Sequence, residues 1–326
     1  MPFCDADCQA LLLGALACPF SQLTEVFLLE SGKFHVHLLS VFTTITKCSL
    51  SNPEKNEMDL KPLHGLHSLQ YMFLEYGHYS NVPLSSHLTR LDVEDSTASC
   101  AELACCTPGL KDLTVSNATL SALHDEGLSS CSGLTSLDVL NCSITGSRAG
   151  ADFTFGEDYV LCIPPHISRL TKLRRLRVGM KTSDNVLDVS WTYGLTSLYF
   201  LELDIEGAVT LSQDLTQLQQ LTMLTVAVQP CESDVGLCSQ ARFEVGWKAM
   251  RSLQHIVLSG HMILWDNVQE ISLLKDLSLV SITELQPGDD KTSVHLARLA
   301  YNLAAQKPHV QFTVESPVEA SVVFSS

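Results

Sequence analysis

Residues 134–144 read LTSLDVLNCSI, and here Leu134, Leu137, Val139, Cys142 and Ile144 fill the first, fourth, sixth, ninth and eleventh places of one frame. Alternate residues of an extended strand point to opposite sides, so the fourth and sixth places share one face while Ser136 and Asp138 turn to the other. A strand this short buries too little apolar surface to stand alone. It needs further copies of itself to stack on.

Those copies run along the chain. The frame recurs at Leu110, Leu113, Val115 and Leu120, at Leu173, Leu176 and Val178, and at Leu198, Leu201 and Leu203. It continues at Leu221, Leu224 and Val226, at Leu253, Ile256 and Leu258, and at Leu274, Leu277 and Leu279. Toward the start, weaker copies sit at Leu88, Leu91, Val93, at Leu69, Met72, Leu74, at Ile45, Cys48, Leu50 and at Leu23, Val26, Leu28. Successive first places lie 22, 24, 19, 22, 24, 39, 25, 23, 32 and 21 residues apart. A length of 326 residues otherwise suggests two globular domains, but one repeated period reads as a stacked array.

This frame, with IPPHISRLTKLRRLRV at 163–178 beside it, resembles the leucine-rich repeat family, and the second phrase is similar to its plant-type units. The resemblance covers about nine-tenths of the chain. It implies an α/β solenoid, a curved horseshoe with a parallel inner sheet and helices or irregular turns outside. The chain departs from the family at the ninth place, where only Cys142 fits and Gly77, Ser96, Ala118, Lys181, Glu206, Gln229 and His261 stand elsewhere. A regular asparagine ladder is absent, so other groups must satisfy the backbone of those turns.

The expected organisation is a capping helix within residues 1–22, repeats over 23–291, a C-terminal cap over 292–314 and a mobile tail over 315–326. Helical spacing of Val294, Leu296, Leu299 and Leu303 places a helix over 292–306, followed by a last strand through Val310, Phe312 and Val314. Two insertions interrupt the period. Near 145–165, Phe153, Phe155, Tyr159 and Leu161 flank Gly156 and Asp158 like a hairpin flap, and near 230–246 a polar loop enters a helix around Trp247 and Met250.

Hydrophobic residues make up 45% of the chain and charged residues 17%, which excludes a disordered polymer. The formal charge of −16 repels phosphate backbones and anionic lipid, so neither nucleic acid nor membrane is the expected partner. Asp5 and Asp7 precede the apolar run LLLGALACPF where a secretory signal carries basic residues, and a cytoplasmic setting follows as the expectation. The 12 cysteines show no repeated metal spacing and read as small buried hydrophobes. Cys231 and Cys238 could close a loop in an oxidising compartment. Asn117 and Asn141 match the glycosylation tripeptide, which matters only in a secreted chain.

No phosphate loop, HExxH helix, EF-hand or GxSxG elbow occurs. His35 with His37, His64 with His67, and His78 and His87 lack carboxylate or cysteine partners at ligand spacing, and His124 to Glu126 comes with no nucleophile. No catalytic residue, metal or cofactor is therefore expected. The outward strand places instead define a protein-binding face. They carry Glu75, Arg90, Asp92, Glu94, Asp112 and Asp138, then Arg174, Arg175 and Arg177, then Glu202 and Asp204. The aromatic residues Tyr71, Phe73 and Phe200 are expected to lie exposed among them as anchors.

That pattern fits a protein with a basic patch and a smaller acidic contact, held on the concave face by a non-catalytic scaffold or adaptor. An extracellular receptor or inhibitor fragment, and a substrate-recognition subunit of a ubiquitin ligase, remain open alternatives. So does placement at the cytoskeleton or a ciliary axoneme.

Overall fold

The computed structural model describes residues 23–28, 36, 39, 42–55, 57–82, 86–98, 109–117, 119–120, 131–140, 143–144, 165–229, 241–260, 263–264, 268–283, 290–315 and 322–324. The capping helix expected within 1–22, the flap at 145–164, and Cys231 and Cys238 lie outside them. The chain divides into two compact units, Met1–Gly133 with Thr145–Ser147, and Leu134–Ile144 with Arg148–Ser326.

In the first unit, strands β1 (Glu25–Leu28), β2 (Lys47–Ser51), β4 (Tyr71–Glu75), β6 (Arg90–Glu94) and β8 (Asp112–Ser116) pair in parallel in that order. Four short strands, β3 (Glu57–Asp59), β5 (His78–Ser80), β7 (Thr97–Ala98) and β9 (Thr119–Leu120), form a second parallel ladder. The register aligns the frame's fourth places, Val26, Cys48, Met72, Leu91 and Leu113, and its sixth places, Leu28, Leu50, Leu74, Val93 and Val115. From Cys48 and Leu50 onward both columns are buried.

The second unit repeats this plan with longer strands. Its parallel ladder runs through β10 (Ser136–Leu140), β12 (Arg175–Asp188), β13 (Phe200–Leu211), β14 (Met223–Gln229), β16 (His255–Gly260), β18 (Leu279–Thr283) and β19 (Gln311–Glu315). β11 (Ser143–Ile144) follows β10, while β15 (Ala241–Phe243) pairs with β13 and with β17 (Ile263–Leu264). Leu137, Leu176, Leu201, Leu224, Ile256, Val280 and Phe312 form the inner fourth-place column. All of them are buried, and each such aliphatic side chain contributes about 1.5–3 kcal/mol over its exposed state.

This register corrects one copy of the frame. The last repeat begins at Leu277, with Val280 and Ile282 as its inner residues, and Leu279 faces the other side. The cause lies on the outside of the repeat, where the chain enters β4, β12, β13, β14, β16 and β18 through a 3-10 turn. Three residues per turn put every third side chain on one face, and Ile271, Leu274 and Leu277 are all buried. The same series gives Leu60, Leu63, Leu66 and Leu69, and Trp247, Met250 and Leu253. A shift of three residues therefore still matches a leucine frame. The helix expected around Trp247 and Met250 is likewise a 3-10 turn, Trp247–Ala249.

One carbonyl per repeat locks adjacent strands at their start. The Thr24 carbonyl accepts from the N–H groups of Thr46 and Lys47, and the Thr46 carbonyl from Gln70 and Tyr71. The second unit repeats the pattern, with the Tyr199 carbonyl taking Thr222 and Met223, and the Thr222 carbonyl taking Gln254 and His255.

At the strand ends the two units satisfy their backbone differently. In the first, Tyr76, Asp95 and Asn117 adopt φ of 52°, 47° and 47°, a left-handed turn that redirects the chain toward the second ladder. The N–H groups of Asn52, Tyr76 and Asp95 donate to the carbonyls of Glu75, Glu94 and Ser116. Ser96 Oγ accepts the Gly77 N–H at 3.2 Å and donates to the Glu94 carbonyl at 2.6 Å. The Tyr79 hydroxyl sits 2.6 Å from the Glu75 carbonyl and 3.1 Å from that of Leu50. Its ring would lie 2.6 Å from a Cβ at Gly77, so the glycine admits the tyrosine. In the second unit Lys181, Glu206 and Gln229 continue the ladder as register partners. Their backbone needs no side-chain ladder at all.

The C-terminal helix α1 (Asp290–Gln306) packs on the 3-10 turn Val268–Leu273. Leu299 and Leu303 are its buried contacts, whereas Val294 is exposed, so the apolar face is narrower than its sequence spacing implies. Within the tail expected to be mobile over 315–326, β20 (Val322–Phe324) pairs antiparallel with β19. Among the described residues no helix is long and apolar enough to cross a membrane. The repeated strand, 3-10 turn and buried leucine columns make the fold a leucine-rich-repeat solenoid.

Leu137 is fully buried and Ser136 is not. Leu137→Asp should cost about 3 kcal/mol or more by burying an unpaired charge, and Ser136→Asp less than about 1 kcal/mol. Equal urea midpoints for the two variants would refute the register. Gly194→Ala should also destabilise, because its Cβ would stand 2.0 Å from the Ser168 carbonyl oxygen; an unchanged midpoint would deny that close stacking.

Candidate protein-binding face

The residues between the buried columns face away from the core, and the parallel register sets them in rows about 4.8 Å apart. Each unit presents such an open face. In the first, Tyr71 stands beside Arg90, and Phe73 beside Asp92.

Asp92 is not the exposed charge its strand position predicts, being only 7% accessible. The Tyr71 hydroxyl donates to Asp92 Oδ2 at 3.0 Å, Arg90 Nε donates to both carboxylate oxygens at 3.2 and 3.0 Å, and Arg90 Nη2 stands 2.9 Å from Oδ2. The guanidinium carbon also lies 5.4 Å from the centre of the Tyr71 ring. Three predicted site residues thus form one paired cluster, which compensates the loss of water around the carboxylate. Glu75 and Glu94 end the neighbouring strands, and Asp112 follows Arg90 in register.

In the second unit Arg175 Nε is 3.8 Å from Asp138 Oδ1, and the Arg175 guanidinium carbon is 4.8 Å from the centre of the Phe200 ring. Arg177 Nη2 donates to Glu202 Oε1 at 2.9 Å. Both acids and both arginines are partly covered. The basic island is therefore interleaved with acids rather than standing as free positive charge. Arg174 precedes β12 and is exposed, as is Asp204 within β13.

Tyr71, Phe73 and Phe200 are half-buried instead of exposed; the Arg90 guanidinium lies over the Tyr71 ring and that of Arg175 over the Phe200 ring. An outward strand aromatic that does stand out is Phe27, 72% accessible on β1. It shares a row with Ser49 and Phe73. The frame at Leu23, Val26 and Leu28 marks position 27 as outward, so the signal was present but lay in a weak copy. Sequence reasoning also passed over the uncharged end of the second face, where Thr225, Ala227, Val257, Ser259, Ser281 and Thr283 fill the outward places of β14, β16 and β18.

Among the described residues the histidines do not converge. His64, His67, His78 and His87 are exposed, and among the described residues no group of His, Cys, Asp or Glu could hold a metal ion. Cys48 and Cys131 are buried, and burial pushes the Cys48 thiol up to about 12. His35, His37, His124, Asn141 and Cys142 fall outside the described residues.

No family model and no curated protein sequence matches the chain. Among solved structures it is similar to an internalin (inlF) from Listeria monocytogenes, at 16% identity and a TM-score of 0.48, over 87% of this chain and 77% of that one. The internalin C2 (inlC2) of the same organism gives 13% and 0.42 over 84% and 83% of the two chains. A chain of the TLR13–ssRNA13 complex gives 14% and 0.49 over 86% of this chain and 44% of its own. At these identities the likeness is one of fold alone.

Burial first, and then the charge and hydrogen bond of Asp92, push the Tyr71 phenol up to about 12. A raised folded value means this group's contribution to stability is complete below pH 10 and is lost as pH rises through about 12. Asp92→Asn removes the charge but keeps the burial. Its phenol titration, read by absorbance difference against Tyr71→Phe, should move down from about 12 yet stay above 10, and an unmoved titration would place Asp92 outside the phenol's influence.

Proposed function

We propose that this chain is a non-catalytic scaffold or adaptor that holds a protein partner against the open face of its parallel strands, in the cytoplasm. The observation carrying this reading is the lateral pairing of the face. Arg90 with Asp92 and Tyr71, Arg175 with Asp138 and Phe200, and Arg177 with Glu202 hold one another in place before any partner arrives. A face ordered in advance loses less side-chain freedom on association. The formal charge of −16 favours a partner with a basic patch, and the arginines offer it a smaller acidic contact.

The pairing changes which variants are informative. Reversing Arg177 alone would set a carboxylate against Glu202 and disturb the face itself. Arg174→Glu alters an exposed charge without that cost, and the exchange Arg177→Glu with Glu202→Arg keeps a pair while inverting its direction. Proximity labelling in the native cell should recover one set of proteins with the parent chain. Against that partner, purified, Arg174→Glu should weaken binding about 2- to 5-fold at low salt, the effect shrinking as salt rises, and the exchange should weaken it more. Undiminished binding by both variants at every salt concentration would move recognition off this face.

A further inference from the structure

Two arginines on the open faces are stacked alike, but their charges are met differently. Arg90 stands over the Tyr71 ring of the adjacent strand at 5.4 Å, and the acid two residues on in its own strand, Asp92, takes hydrogen bonds from Nε at 3.2 and 3.0 Å. That group is closed. Arg175 stands over the Phe200 ring at 4.8 Å, again across one strand spacing. Two residues on in its strand, however, comes a second arginine, Arg177, which is engaged through Nη2 with Glu202. Asp138 Oδ1 lies 3.8 Å from Arg175 Nε, beyond hydrogen-bond length. Among the described residues neither Arg175 Nε nor Arg177 Nε has a hydrogen-bond partner, and the Arg175 side chain is 43% accessible. The second face thus repeats the stacked arginine without the carboxylate that completes it in the first.

We propose that Arg175, held over Phe200, receives one carboxylate side chain, Asp or Glu, of the protein partner, an inference that rests on the reading of this face as a protein-binding surface. The ring fixes the plane of the guanidinium, and a planar fork of N–H donors matches a carboxylate with two parallel hydrogen bonds. The site accepts a single negative charge. Asp138 and Glu202 border it, so a phosphate group, which carries nearly two charges, meets their repulsion. Arg90 has no such role, because Asp92 already fills its fork.

Random twelve-residue peptides displayed on phage are selected on the purified full chain, and those that also bind the Arg175→Gln variant are discarded. The retained peptides should carry an Asp or Glu whose replacement by Asn or Gln weakens binding about 10-fold or more. Arg175→Lys keeps the charge but not the fork and should weaken them about 3- to 10-fold, whereas Arg90→Gln should leave their affinity unchanged. Phosphoserine in place of the acid should bind no more tightly. Circular dichroism melts verify that each variant is folded, and should Arg175→Gln melt out, Arg175→Lys takes its place under the same criteria. The proposal is overturned if no peptide separates the parent from the folded Arg175 variant, if the retained peptides lose nothing when the acid is amidated, if phosphoserine tightens them, or if Arg90→Gln weakens them equally. The partner recovered by proximity labelling separates this proposal from the reading beneath it. Parent-like binding by Arg175→Gln, while the exchange Arg177→Glu with Glu202→Arg weakens it, removes the carboxylate site and keeps the binding face; undiminished binding by Arg175→Gln, Arg174→Glu and the exchange removes both.

Discussion

A strand of five residues in this chain can bury its apolar side chains only by setting them beside those of the next repeat. Everything else follows from that need for a neighbour. The fourth and sixth places must stay in register from strand to strand, as Leu137, Leu176 and Leu201 do, and a slip of one residue would turn the whole set outward. The shared carbonyls at Thr24, Thr46, Tyr199 and Thr222 tie down that register at the start of each strand. The 3-10 turns behind them add a third buried column at the same period. Stability is then the sum of many interfaces between neighbours.

The same spacing that stacks the core also sets the chemistry of the open faces. Residues of like place stand about 4.8 Å from one another, close enough that a charge is answered first by its neighbour. Arg177 meets Glu202 before it can meet a partner, and Asp92 is enclosed by Arg90 and Tyr71. In the first unit Phe27 stands exposed on the open face, and in the second Arg174 and Asp204 do.

The inner columns were legible because side-chain alternation has a period of two and the frame repeats it. The last copy was misplaced by three residues for an equally physical reason, since a 3-10 turn repeats leucines every third position and imitates the frame at Leu274. The open-face residues were legible as positions but not as states. Strand alternation tells which way Tyr71, Phe73, Asp92 and Phe200 point, yet their burial depends on which side chains the register sets beside them, and that pairing emerges only when strands are joined. The absent asparagine ladder is explained only by the assembled backbone: Tyr79 and Ser96 serve the first unit, and continuous strands through Lys181, Glu206 and Gln229 serve the second.

The alternation of a buried column with an open row is the claim on which the proposed function stands, and cysteine substitution along one strand measures it most directly. Single cysteines at Met223, Leu224, Thr225, Val226, Ala227 and Val228 are to be compared for their rate of reaction with a charged thiol reagent in the folded protein. Fast reaction at 223, 225 and 227 with protection at 224, 226 and 228 is the predicted result. Uniform rates, or the opposite phase, would contradict the register and the open face together.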